Sequence, residues 1–221
     1  MMTTYFLVYA LFFLAVIIGR VIITELESKK LCSCYIKVPF TLMSGLVMLG
    51  YYALSGYTLS LMIIIVMGLA MIGNALVGNL SKKFKWAELT GQISLLLSYV
   101  VMTVTMIALY GIPTYYVFII ISSLFIIYIS YMKFWLKISF LKNWQEYIYM
   151  TVMIIMLSVA FQTAVPLTIM IAITFWFYSE LILQISRLTN LLKPKAEYNA
   201  ASIYLLAMAF LAMPENFLGV L

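Results

Sequence analysis

Read from its first residue, the chain repeats one pattern. A run of about 20 apolar residues is followed by a short polar connection and then another run. The runs predict eight helices over 4–24, 35–55, 58–80, 89–110, 113–132, 145–163, 165–188 and 198–218. A bilayer core of about 30 Å needs about 20 helical residues, so each run is long enough to cross. Pro113 and Pro166 fall in the first turns of their helices, where a missing N–H costs little. "LSGYT", "YGIPTY" and "QTAVP" are short, uncharged connections, whereas "ITELESKKLCSCYIK", "LSKKFKWAE", "KFWLKISFLKNWQE" and "RLTNLLKPKAE" are charged. No polar stretch is long enough to be a separate domain. The predicted fold is all-α: a polytopic transmembrane helical bundle of eight spans, one integral membrane domain over residues 1–221.

Charge sets the orientation. The thirteen Lys and Arg all fall on alternate connections. Arg20, Lys29, Lys30 and Lys37 flank the first; Lys82, Lys83 and Lys85 lie in the third. Lys133, Lys137 and Lys142 lie in the fifth; Arg187, Lys193 and Lys195 lie in the seventh. By the positive-inside rule these connections face the cytoplasm and both termini face out. The net charge of +6 is then a topology signal and a contact with anionic headgroups, not a nucleic-acid surface. The start "MMTTYFLVYA" has no basic n-region and no A-x-A site precedes the charges, so residues 1–24 are expected to be an uncleaved span.

Composition agrees and narrows the chemistry. Two thirds of the residues are hydrophobic and 9% are charged, against about 25% charged in a soluble domain. There is no His, and all seven acids are Glu. That excludes a Ser-His-Asp triad and an imidazole-ligated metal. Cys32 and Cys34 share one short loop on the expected cytoplasmic side and read as free thiols. No metal or other cofactor is expected.

One residue breaks the pattern. In "FWFYSELILQI", Glu180 stands within an apolar run, where a carboxylate costs several kcal/mol unless it is neutral, paired or wet. Glu180, Gln184 and Arg187 are spaced i, i+4, i+7 and predict a polar stripe opening toward the cytoplasm. Asn74 lies at a similar depth on the third span, between Gly73 and Gly78, which admit a close neighbour. Lys37 begins the second span, Gly91, Ser94 and Ser98 share a face of the fourth, and Tyr204 lies on the eighth. Polar residues of several helices thus collect at one depth, with Asn74, Lys37 or Arg187 as candidate partners of Glu180. Each residue also has a plain reading. Small residues at helical spacing pack, Lys and Arg snorkel to headgroups, and an Asn bonds a neighbouring helix. An intramembrane acid is the hardest to explain so.

At these residues the chain resembles the YhhN family, the lysoplasmalogenase-like membrane proteins. "YIKVPFTLMSGLVML" is similar to its Lys-Pro second-span start, and "MIGNALVGN" to its Gly-Asp segment. "TGQISLLLSYVVMTV" is similar to its Gly-rich fourth-span start. "AITFWFYSELILQISRLTN", followed by "YNAASIYLLAMAFLA", is similar to its Ser-Asp helix and closing span. The chain departs from the family in four places. The Gly-Asp acid is Asn74, the Ser-Asp acid is Glu180 after Ser179, Val38 separates Lys37 from Pro39, and a fourth-span His of some members is absent.

The resemblance implies hydrolysis of the vinyl ether of a lysoplasmalogen to a fatty aldehyde and a glycerophospho-headgroup. That chemistry needs a proton donor and a group to stabilise an oxocarbenium ion, and a carboxyl group supplies both in turn. The expected catalytic residues are Glu180, as acid, and Asn74, orienting water. The expected substrate-binding residues are Lys37 and Arg187, for the phosphate, with Gln184, Ser179, Ser98 and Tyr204. The expected partners are the lysophospholipid and membrane lipids. The richness in Lys, Ile and Tyr suggests an AT-rich microbial genome, and the expected location is a bacterial cell membrane. Two other functions fit the same residues: a catalytically inactive lipid-binding relative, and a proton-coupled transporter with Glu180 as its proton site.

Overall fold

A computed structural model of the chain describes residues 2–56, 58–80, 84–111, 115–131, 133, 144–189 and 195–213. Among these residues the protein is all-helical. The elements are α1 (Met2–Ser28), α2 (Cys34–Ser55), α3 (Thr58–Ala75), α4 (Lys85–Tyr110), α5 (Tyr116–Ser130), α6 (Trp144–Gln162), α7 (Leu167–Thr189) and α8 (Lys195–Leu211). A π-helical turn, Leu76–Leu80, prolongs α3. Among the described residues, five segments are long and apolar enough to cross a membrane: Cys34–Leu54, Thr58–Gly78, Trp86–Tyr110, Trp144–Gln162 and Leu167–Leu188.

Each apolar run of the sequence holds one helix, with displaced ends. α4 starts a turn earlier than expected, at Lys85, and α1 runs on to Ser28. α7 starts after Pro166, whose carbonyl accepts the N–H groups of Ile169 and Met170. The proline therefore caps this helix from outside instead of filling its first turn. α8 ends at Leu211, before the expected end of the last span, and residues 214–221 lie outside the described residues. Pro113, Lys82, Lys83, Lys137, Lys142 and Lys193 also lie outside them. α2 stops at Gly56, whose left-handed backbone (φ 65°) lets its N–H bond Tyr52 O at 2.7 Å.

Neighbouring helices close a ring: α2 packs on α3, α3 on α4, α4 on α6, α6 on α7, α7 on α8, and α8 back on α2. α1 lies outside α8, and α5 packs chiefly against α6. α8 can take partners on three sides because its buried positions include Ala196, Ala200, Ala201, Ala207 and Ala209, which let backbones approach. The outward faces are apolar: Leu14, Ile17, Ile18 and Val21 on α1, and Ile119, Ile126 and Ile127 on α5, are exposed. That surface suits hydrocarbon rather than water.

Small residues make a close seam between α3 and α4. Ser94 Oγ on α4 donates to Leu69 O on α3 at 2.8 Å. A Cβ at Gly91 would lie 2.7 Å from Val77 Cγ2 and 2.9 Å from Val77 N, a backbone atom that cannot step aside. The small residues expected to pack here do so. Gly91→Ala is expected to push α4 off the π turn and destabilise the fold by about 1–3 kcal/mol. A lowered melting temperature in detergent checks it.

Candidate functional site

The π turn, the loop before α2 and the charged end of α7 enclose a cavity of about 400 Å³. Its lining includes Lys37 from the first turns of α2, Asn74 from the end of α3, Glu180, Ser186 and Arg187 from α7, and Glu197 and Tyr198 from α8. Cys32, Ser33 and Cys34 border it as well. The wall at Val77 and Gly78 belongs to the π-wound turn, a distortion frequent at functional sites. A Cβ on Gly78 would sit 2.8 Å from Cys34 Sγ and 3.1 Å from Cys32 Sγ, so only glycine lets the cysteine loop close against this turn. At the mouth, Glu197 Oε1 accepts the Ser33 N–H at 2.7 Å and ties α8 to the start of α2.

Glu180 is 2% exposed. Its Oε2 accepts a hydrogen bond from Tyr149 OH at 3.0 Å, and Tyr149 OH lies 2.7 Å from Tyr99 OH. Trp176 stacks edge-on against Tyr99 with ring centroids 5.0 Å apart. One oxygen of the carboxyl is thus fixed by a buried aromatic relay. The other, Oε1, has no hydrogen-bond partner among the described residues, and the side chain lines the cavity. Among the described residues no cation within 4 Å pairs with Glu180.

Lys37 is 4% exposed and also lacks a carboxylate within 4 Å among the described residues. Its Nζ sits 5.1 Å from the centroid of the Tyr204 ring, a cation–π contact. Tyr204 is held from behind, its hydroxyl 2.9 Å from Thr41 Oγ1 and accepting from Asn74 Nδ2 at 3.1 Å. Asn74 Nδ2 also donates to Ala70 O at 2.9 Å. Both amide protons are engaged, and the amide oxygen has no partner among the described residues.

Glu180, Asn74, Lys37 and Arg187, distant in sequence, therefore line one cavity. Four other candidates stand elsewhere. Tyr204 lies beneath Lys37 as its support. Ser179 Oγ bonds Ala200 O at 2.8 Å and pins α7 to α8. Ser98 Oγ bonds Leu95 O of its own helix. Gln184 lines a separate crevice between α4, α6 and α7. At about 100° per residue, Leu183 and Gln184 fall on opposite sides of Glu180, and the cavity lies on the Leu183 side. Sequence reasoning missed Tyr149 and Glu197. The signal for Tyr149 was a hydroxyl-bearing ring in an apolar span, which needs a partner when buried.

Comparisons with known protein families, with curated proteins and with solved structures gave no match.

Proposed function

We propose that this protein is a membrane-embedded hydrolase of the lysoplasmalogenase type, an eight-span bundle with both termini outside and its cavity open to the cytoplasmic leaflet. One observation carries the reading. Among the described residues, one buried carboxyl group, held on one oxygen and open on the other, shares a cavity with a buried ammonium that has no carboxylate within 4 Å.

The roles follow from the atoms. Lys37, with Arg187 at the rim, binds the phosphate. Glu180 delivers a proton from Oε1 to the double-bond carbon farther from the ether oxygen, which leaves an oxocarbenium ion beside the new carboxylate. The carboxylate stabilises that cation while Tyr149 holds its other oxygen. Asn74 Oδ1 accepts a hydrogen bond from the attacking water and so orients it. The water oxygen bonds the cationic carbon, its proton returns to Glu180, and the hemiacetal collapses to the aldehyde and the glycerol hydroxyl.

Binding without turnover is the second reading, and Asn74 favours it, because an amide does not take a proton from water. The deciding assay follows free aldehyde from a lysoplasmalogen added to purified, folded protein. Aldehyde release is expected. Lysolipid that binds and stays intact would sink the hydrolase in favour of a lipid-binding protein. Proton-coupled flux across sealed vesicles would make it a carrier.

A further inference from the structure

We propose that Cys32 and Cys34 together form a binding site for one cuprous ion, held between their two thiolates on the wall of the central cavity. A regular helix would turn side chains two residues apart to opposite sides. Here they come together. α2 begins at Cys34, so Cys32 lies outside the helix. Both sulfurs face Gly78 of the π turn. The point where a Cβ would stand on that glycine is 2.8 Å from Cys34 Sγ and 3.1 Å from Cys32 Sγ. The two sulfurs are therefore no more than about 6 Å apart, a gap that side-chain rotation closes onto one bridging ion.

The backbone prepares the sulfurs for a metal. The Cys34 N–H, at the start of α2, donates to Cys32 Sγ at 3.3 Å. A helix N-terminus aimed at a sulfur stabilises negative charge there, and the thiolate is the form that binds. Cys32 is half-buried and both residues line the cavity, so an ion reaches them from it.

The ligand count selects the ion. Among the described residues, no three His, Cys, Asp or Glu side chains are grouped to hold a metal. Zinc takes four ligands and is not served. Soft thiolates select a cuprous ion, a closed-shell cation that two sulfurs satisfy in a near-linear arrangement. Charge agrees. Two thiolates around one cuprous ion leave a single net negative charge. Lys37 lines the same cavity, 4% exposed and without a carboxylate within 4 Å among the described residues. Its ammonium neutralises the complex, whereas a divalent ion would leave that buried charge uncompensated. Lys37 serves one anion at a time, so the cuprous complex competes with a lysolipid phosphate. That competition rests on the function proposed above, and the metal site does not.

The test takes the full chain, reduced and purified in detergent without oxygen, and titrates it into the coloured bicinchoninate complex of the cuprous ion. Loss of colour counts the copper that the protein withdraws. One ion per chain is expected. Cys32→Ser and Cys34→Ser should each lose it, and Lys37→Met should keep one ion at an affinity lower by about tenfold. No withdrawal by the folded protein would overturn the proposal. One ion retained by either serine variant would overturn it too, because that places the copper on other side chains. Where a serine variant does not fold, X-ray absorption at the copper edge of the wild-type complex decides. Two sulfur neighbours are expected, and a nitrogen or oxygen neighbour, or a third sulfur, would sink the site.

Discussion

Glu180→Gln abolishes aldehyde release and leaves the lysolipid bound: this is the largest effect expected of any single substitution. The amide keeps the volume of the acid and still accepts the bond from Tyr149 OH, so the packing at this buried position survives. What it loses is the proton for the alkenyl carbon and the negative charge that follows. General acid catalysis alone is worth about 10²–10⁴ in rate. The fall belongs in kcat, because Lys37, the residue proposed to hold the phosphate, is untouched and KM should hold. Tyr149→Phe is the graded companion. It removes the donor to Oε2 while keeping the ring, and it is expected to slow the same step by about tenfold, one hydrogen bond to a charged group. Unchanged turnover with Gln at 180 would remove the carboxyl from the mechanism. A rise in KM with kcat intact would make Glu180 a binding group.

The helices were legible because hydrophobic run length is a one-dimensional signal. A helix that must bury or lipidate every side carries its identity in composition alone, and each apolar run holds one helix. Helix ends were less legible. Residues 85–88 read as connection, yet a polar side chain such as Glu88, exposed in the first turn, is compatible with a helix end, and α4 begins at Lys85. The site was legible in its charged members. Lys37 and Glu180 are costly where they stand, and cost marks a residue in sequence. Partners were not legible, because they are set by rotation about each helix axis. Gln184 shares the Glu180 stripe in sequence but faces α4 and α6 once α7 is packed. Tyr149 reaches Glu180 across the α6–α7 interface, a contact between residues without a common periodicity. The π turn at Leu76–Leu80 was invisible for a different reason. Its sequence, LVGNL, carries no mark that separates a π turn from an α turn, and the fit of Gly78 against the cysteine loop depends on residues far away in sequence.

Lys37→Met is expected to make the protein more stable and less able to hold its lipid. An ammonium that is 4% exposed with no carboxylate within 4 Å among the described residues is held at a cost. The cation–π contact with Tyr204 offsets about 0.5–2 kcal/mol of it, and the rest stays uncompensated until an anion arrives. Methionine fills the same length without the charge; replacing even a buried ion pair by apolar groups of similar volume is often neutral or stabilising by about 1–4 kcal/mol, and a charge without a carboxylate partner has less attraction to lose. The melting temperature should therefore rise in detergent without lysolipid. The affinity for lysolipid should fall about 10- to 100-fold, the worth of a charge-assisted hydrogen bond to phosphate. The two shifts have one cause, since a buried charge kept unpaired in the empty site is the attraction that the ligand satisfies. They also separate the readings of Lys37. A lysine that merely snorkels to bulk headgroups would lose little of either quantity, because its ammonium is already hydrated. A lysine that pins α2 to α8 through Tyr204 would lower the melting temperature when replaced. Opposite signs in stability and binding mark an anion site, and they require that the ammonium remain unpaired until the lipid phosphate enters.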